Sequence, residues 1–154
     1  MPTTNQDQRP EFKDFPATKL FQSVPAQVNF NSFPDAATYK TQLSQQAAKG
    51  PNFAGHFTVV EIGCGSNCQA HVIVDAENGN VYGGIATERG IGINLNSNLY
   101  IADPPYAAGT NAYADDPTAT LPARYYVWDG TTLKLVYQET CTVAGKQQVC
   151  GKGK

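Results

Sequence analysis

The chain has 154 residues, of which 16% are charged, and a formal net charge of −2 at pH 7. This length suits one domain, and a charged fraction below the usual ~25% excludes a charge-driven disordered protein. The weakly acidic balance argues against a nucleic-acid-binding protein, and every apolar run is shorter than the roughly 20 residues of a membrane-spanning helix.

The two ends of the chain are polar and enclose a single predicted domain. Residues 1–10 and the tail 151–154 are expected to be flexible, so that residues 11–150 form one globular domain. The first residues contain neither the basic nor the apolar part of a secretory leader. We interpret the chain as a mature exported protein whose leader has been removed.

The N-terminal part predicts extended arms and then one helix. Pro16 and Pro25 interrupt short apolar stretches, and proline is tolerated only in edge strands or extended segments. A helix is predicted between a cap at Asn31 or Ser32 and Gly50, because apolar residues recur there at three- and four-residue steps. The stripe that faces the core consists of Ala36, Tyr39, Leu43 and Ala47.

Beyond the helix the periodicity becomes that of β-strands. Segments rich in β-branched and aromatic residues are separated by turn signals, of which Asn78-Gly79 and Asp129-Gly130 are typical of hairpins. The predicted strands are 56–62, 69–75, 80–85, 91–95, 99–102, 124–128 and 133–138. Strands that follow one early helix predict an α+β fold, in which an antiparallel, meander-like sheet has the amphipathic helix packed on one face.

One long segment, Asp103 to Leu121, has no strand or helix periodicity. A connection of this length is either a binding loop or a surface excursion without a role. Tyr106 and Tyr113 lie in it, and tyrosine supplies the rigid, amphipathic contact area that binding surfaces favour. We include both tyrosines among the candidate binding residues.

The four cysteines form an even set in a small chain, a pattern typical of two disulfides and of an oxidising compartment. Three connectivities are open, and the short separations favour Cys64 with Cys68 and Cys141 with Cys150. The cysteines and the missing leader together predict a periplasmic or secreted protein.

Two stretches of the sequence are distinctive, Gly50-Pro51-Asn52-Phe53-Ala54-Gly55-His56 and Gly63-Cys64-Gly65-Ser66-Asn67-Cys68-Gln69. Together they resemble a family of small, largely uncharacterised exported proteins of Gram-negative bacteria, which carry a Gly-Pro-Asn-Phe-Ala-Gly-His stretch and a Gly-Cys-Gly-x-x-Cys-Gln loop. The resemblance is best over residues 50–82. It implies export and one domain, but no established activity and no catalytic residues.

Two histidines and two cysteines form the set with most chemical potential: His56, Cys64, Cys68 and His71. They allow three interpretations, namely a metal site, a cysteine nucleophile with a histidine base, or a disulfide-closed loop between two strands. In extended strands, at about 3.3 Å per residue, His56 lies roughly 20 Å from the loop and His71 roughly 10 Å from Cys68. We therefore favour the disulfide and expect no metal or other cofactor.

These considerations predict a binding module rather than an enzyme. It would act as an inhibitor, immunity-type protein or envelope accessory protein, and its partner would be a protein or small molecule in the cell envelope or outside the cell. The candidate binding residues are Asn52, His56, Ser66, Asn67, Gln69, Tyr106 and Tyr113. The alternative is a cysteine-dependent hydrolase or thiol-redox protein that uses Cys64 or Cys68 with a histidine.

Overall fold

The structure is a computed structural model that describes residues 8–66, 68–104, 121–144 and 147–152, with the backbone alone described for residues 121, 141–144, 147–150 and 152. Within these ranges the chain forms one α-helix and eight β-strands. They are α1 (Lys40–Ala47), β1 (Phe57–Gly63), β2 (Gln69–Asp75), β3 (Val81–Gly83), β4 (Ile91–Gly92), β5 (Leu99–Ala102), β6 (Leu121–Trp128), β7 (Leu133–Ala144) and β8 (Gln147–Lys152).

The strands form two antiparallel sheets, and each follows the order of the chain. The first sheet has the order β1-β2-β3 and the second the order β4-β5-β6-β7-β8. The predicted α+β class, the meander order and the packed helix are confirmed, but the strands divide between two sheets rather than one. The division arises at residues 84–90, which form no strand and carry the chain from β3 to β4.

Helix α1 and the first sheet enclose one hydrophobic core. The helix contributes Leu43 and Ala47. The sheet contributes alternate residues of its strands, Val60, Ile62, Val72, Val74 and Val81. Alternation places these side chains on one face, because successive residues of a strand point to opposite sides of the sheet.

The helix is shorter than the sequence predicts. Asp35 has a left-handed backbone with a φ of 65°, and a 3₁₀ turn over Ala36–Tyr39 precedes Lys40, where the α-helix begins. Tyr39 has the non-helical dihedrals φ −111° and ψ 31°, so its side chain leaves the predicted stripe and is 41% exposed. The expectation that Tyr39 faces the core is therefore wrong, whereas the other three stripe residues are buried.

An aromatic cluster joins the two sheets. Phe53 is fully buried and meets Tyr100 edge-on at a centroid distance of 5.8 Å and Trp128 at 6.3 Å. Phe57 and Tyr82 meet Trp128 at 5.2 and 5.6 Å, both in T-shaped geometry. Such pairs add roughly 0.5–1.5 kcal/mol each to the burial of apolar area, so the cluster binds the first sheet to the second.

The Gly50–His56 stretch forms the tight turn that starts β1. Phe53 and Phe57 exchange two backbone hydrogen bonds of 3.0 Å, and between them Ala54 and Gly55 have φ values of 51° and 87°. Gly55 lies so close to the backbone of Lys19 that a Cβ atom would overlap the Lys19 carbonyl oxygen. Glycine is required at position 55 for both conformation and space.

Contacts with the fold are also made by residues just outside the range 11–150. Pro10 is buried, and the Arg9 side chain lies 2.8 Å from the buried carboxylate of Glu139. At the other end β8 continues to Lys152. None of the helices in the described ranges has the length and apolar character needed to cross a lipid bilayer.

Replacing Gly55 by alanine is expected to lower the free energy of unfolding by about 3 kcal/mol, because the added methyl group must displace backbone. The matched control is Gly50→Ala, where φ is 94° but no atom lies within 4 Å of the added Cβ. That substitution is expected to cost about 1 kcal/mol from conformation alone. Urea unfolding measures both, and equal losses would contradict the packing of Gly55 on Lys19.

The hydroxyl of Tyr125 predicts a loss of stability in alkali. It donates a hydrogen bond of 2.5 Å to Glu139, and burial together with this bond raises the pKa of Tyr125 above its usual value. The neutral phenol therefore stabilises the fold fully below about pH 10, and this contribution is lost as the pH rises further. In urea unfolding between roughly pH 10 and 12, the wild type should lose stability more steeply than Tyr125→Phe. Parallel pH curves would show that this tyrosine does not contribute.

Candidate functional site

The loop between β1 and β2 is closed by the predicted disulfide. Cys64 and Cys68 are bonded to each other, with Cα atoms 5.1 Å apart. Gly65 between them has a φ of 122°, a conformation that favours glycine. The candidate residue Ser66 is exposed on this loop, and Asn67 lies outside the described residues.

The second predicted disulfide falls in the β7–β8 ladder. Backbone register places Cys141 directly opposite Cys150. This backbone register is compatible with the predicted local bridge. The structure describes only the backbone of the two cysteines, so the bond itself stays a prediction.

A cleft lies beside the disulfide loop, between helix α1 and the first sheet. It has a volume of about 300 Å³. Its walls are mainly apolar and include Phe33, Ala36, Leu43, Ile62, Ala70 and Val72. Asp35 and Tyr39, which are exposed, also line the cleft, as does Cys64 of the disulfide. This composition suits a small apolar group that carries a polar or charged end.

A larger cavity, of about 480 Å³, lies between α1 and the preceding extended arm. Its lining mixes apolar residues with Gln27, Lys40 and Ser44, and the ammonium group of Lys40 stands 5.8 Å from the ring centroid of Phe30 there. We therefore assign the candidate site to the smaller cleft, whose apolar walls are open and whose rim is fixed by a disulfide.

The side chain of Asn52, a candidate binding residue, forms hydrogen bonds with β1, an edge strand of the first sheet. Its side-chain carbonyl accepts a hydrogen bond of 2.8 Å from the Val59 N–H, and its NH₂ group donates one of 3.3 Å to the Val59 carbonyl. Gln46 of α1 makes the same two hydrogen bonds with the backbone of Glu61. Its side-chain carbonyl accepts from the N–H at 3.2 Å, and its NH₂ group donates to the carbonyl at 3.1 Å. The two carboxamides thus pair with the edge of β1 as a neighbouring strand would.

Gln69 is likewise committed to the fold. Its side-chain carbonyl accepts hydrogen bonds of 2.9 Å from the Thr87 hydroxyl and from the Gly90 N–H. The buried carboxylate of Asp103 accepts hydrogen bonds of 2.9 and 2.7 Å from the backbone N–H groups of residues 88 and 89, which lie between Thr87 and Gly90. These contacts fix the connection between the two sheets.

His56 lies at the opposite end of the β1–β2 hairpin from the disulfide loop, since the register runs from Phe57 opposite Asp75 to Gly63 opposite Gln69. Its Nδ1 atom is 2.8 Å from an oxygen of Asp75 and 3.4 Å from Oε1 of Glu77. The structure therefore brings His56 together with two carboxylates, and not with the cysteines.

Lys19 completes this group of charges. Its ammonium donates a hydrogen bond of 2.9 Å to the second oxygen of Glu77, and this bond lowers the pKa of the Glu77 carboxyl. We call these four residues the His56 cluster: Lys19, His56, Asp75 and Glu77.

His71 is buried and is among the residues that line the cleft, but alternation along β2 places its imidazole on the face of the sheet opposite the helix. Its Nδ1 atom is 2.8 Å from the Ile85 carbonyl oxygen, and its ring meets Tyr100 of the second sheet edge-on at 6.4 Å. Ala70 and Val72, its neighbours in the strand, pack in the core on the helix side. The imidazole is not oriented to serve as a base for a cysteine at the cleft.

Tyr106 and Tyr113 lie outside the described residues. The lining of the cleft was not predicted, because apolar side chains such as Phe33 and Ile62 are assigned to a core by sequence alone. The one available signal is the pair Gly83-Gly84, which leaves one wall of the cleft without side chains.

No protein-family model matches this chain, and no curated protein or solved structure is significantly similar to it.

We expect two disulfides and no alkylatable thiol in the native chain. Trypsin cleaves after Lys146, so a Cys141–Cys150 bond yields two covalently joined peptides without reductant. Trypsin does not cleave between Cys64 and Cys68, so their bond yields one peptide that is two hydrogens lighter than its reduced form. Mass spectrometry distinguishes these products. A peptide linking Cys64 or Cys68 to Cys141 or Cys150 would contradict the assignment.

Proposed function

We propose that this chain is a periplasmic or secreted binding module, an inhibitor, immunity-type or envelope accessory protein that recognises its ligand without catalysis. The observation that carries the proposal is the open, mainly apolar cleft of about 300 Å³ between α1 and the first sheet, next to the disulfide loop. The disulfide supports the location, because such bonds persist in oxidising compartments. The resemblance to exported proteins is in line with it.

The size and walls of the cleft define the chemistry of its ligand. Its volume of about 300 Å³ is at the lower end of the range for small-molecule sites and accommodates one ring or branched aliphatic group. Of the polar residues that line it, Asp35 and Tyr39 are exposed, whereas His71 is buried with its ring against Tyr100 of the second sheet. We infer a ligand with an apolar group and an adjacent positive charge, which either a free amine or the N-terminus of a peptide supplies.

The disulfide prepares the cleft for binding. Cys64 lines the cleft and is tied to Cys68, which directly precedes β2, so this wall does not have to be ordered when the ligand arrives. A site that is ordered beforehand loses less conformational entropy on binding, and the affinity is correspondingly higher.

Catalysis by cysteine is the competing function, and the geometry favours it less. A nucleophilic cysteine acts as a thiolate with a histidine within hydrogen-bond reach. Cys64 and Cys68 are bonded to each other, and the His71 ring faces the second sheet. A thiol-redox role would require the exposed disulfide to exchange with external thiols, and alkylation of the native chain before digestion would detect its reduced form.

We expect phenethylamine, which combines a ring with an ammonium group, to bind in the cleft. In NMR titrations of the ¹⁵N-labelled chain, backbone shifts should change at Tyr39, Ile62 and Val72. The dipeptide Phe-Ala tests whether the N-terminal ammonium group of a peptide can supply the positive charge instead. 3-Phenylpropionate, with the opposite charge, should bind more weakly. Asp35→Asn should reduce the preference for the amine by at most about fivefold, because an exposed ion pair contributes only ~0–1 kcal/mol.

Filling the cleft provides the decisive variant. At Gly83 an added Cβ would lie 3.5 Å from the Phe33 ring, in ordinary contact, so Gly83→Leu is expected to occupy the cleft and abolish binding of phenethylamine. Gly92→Leu is the matched control, since its Cβ would also lie 3.5 Å from a side chain, Ile101, but in the second sheet. Unchanged binding by Gly83→Leu, or shifts confined to another region, would refute the cleft as the site.

A further inference from the structure

We propose that His56, Asp75 and Glu77 bind a divalent transition-metal ion, with Zn²⁺ as the preferred metal. The site lies at the end of the β1–β2 hairpin that is away from the disulfide. The three ligand atoms lie within 4.8 Å of one another. This site is separate from the cleft, and the proposal stands whether or not the cleft binds a ligand.

The spacing of the three ligand atoms suits a metal ion. Nδ1 of His56 is 2.8 Å from an Asp75 oxygen and 3.4 Å from Oε1 of Glu77. Two ligands at about 2.1 Å from Zn²⁺ lie about 3.4 Å apart at the tetrahedral angle. Small side-chain rotations therefore admit the ion, which would replace the hydrogen bond between His56 and Asp75.

The local backbone brings the two carboxylates to the same place. Asp75 ends β2, and its Oδ1 atom accepts a hydrogen bond of 2.9 Å from the backbone N–H of Glu77. This contact fixes the turn between the two acids, while the backbone hydrogen bond of 2.7 Å from Ala76 to the His56 carbonyl fixes the histidine against it. His56 directly precedes β1, Asp75 ends β2 and Glu77 lies in the turn that follows. Because these backbone contacts hold the three ligands in place, the site needs little ordering.

One oxygen in the cluster lacks a donor. Oε1 of Glu77 is buried and has no hydrogen-bond partner within the described part of the chain. Nδ1 of His56 lies 3.4 Å from this oxygen without a hydrogen bond, and a cation at this point would supply the partner that the oxygen lacks. Lys19 reaches only the other oxygen of Glu77.

The donor set selects the class of metal. Ca²⁺ and Mg²⁺ prefer oxygen ligands throughout, whereas an imidazole nitrogen with carboxylates is typical of Zn²⁺ and related transition metals. The three side chains are 20%, 10% and 27% exposed, so that solvent can reach the site and a water or an external ligand can occupy a fourth position.

The test is calorimetric titration of the metal-free, disulfide-intact chain with ZnCl₂. We expect one site per chain, and no comparable binding of CaCl₂ or MgCl₂. Glu77→Gln and His56→Gln should each weaken Zn²⁺ binding by more than about tenfold, as expected when a ligand is removed. Absence of saturable Zn²⁺ binding by the wild type would overturn the proposal, as would unchanged affinity in both variants.

Two further variants separate a metal site from an ordinary charge cluster. Glu61→Gln is the matched control, because Oε1 of Glu61 is 3.6 Å from Nε2 of His71 in a second histidine–glutamate pair. The Zn²⁺ affinity of this variant should equal that of the wild type. Lys19→Ala removes the ammonium that competes for Glu77 and should raise Zn²⁺ affinity. The Lys19 side chain is 62% exposed, so the variant is expected to fold even where His56→Gln does not. Reduced affinity in Lys19→Ala, or an equal loss in Glu61→Gln, would refute the assignment.

Discussion

Phe53 and Phe57 attach the first sheet to Trp128 of the second, and the remaining features of the molecule depend on this aromatic contact. The two phenylalanines lie on either side of the turn that starts β1, so burial of both rings determines where the strand begins. With β1 fixed, the hairpin register follows and sends the disulfide loop to one end and His56 to the other. The opposite face of the same sheet is then left to α1 and the cleft.

The two proposed sites are therefore products of one hairpin. At its closed end, Cys64 contributes to a cleft that is apolar because it lies where helix and sheet separate. At its open end, the residue before β1 and the last residue of β2 with the turn after it place an imidazole beside two carboxylates. Ligand at the first site and a metal ion at the second would both stabilise the native state by mass action. Neither involves a reacting thiol, which agrees with a function in recognition.

The features that could be predicted from sequence are those decided by neighbouring residues. The Cys64–Cys68 bridge depends on a short separation, and the hairpin after β2 on Gly79, which adopts a φ of 81°. The association of His56 with Asp75 depends instead on long-range strand register, which no local pattern reveals. The role of Asn52 could not be predicted either, because an amide that binds a ligand and one that pairs with its own backbone look alike in a sequence.

The carboxamides of Asn52 and Gln46 on the edge of β1 have a consequence for the conditions in which the protein survives. Many proteins protect such an edge with charged side chains, whose effect depends on acidity and salt. Amide groups have no proton to lose or gain near neutrality, and their hydrogen bonds are not screened by ions as a charge is. Protection of this strand against intermolecular pairing would thus persist in acid, where a glutamate gatekeeper loses its charge, and in saline surroundings, where salt screens a lysine or a glutamate.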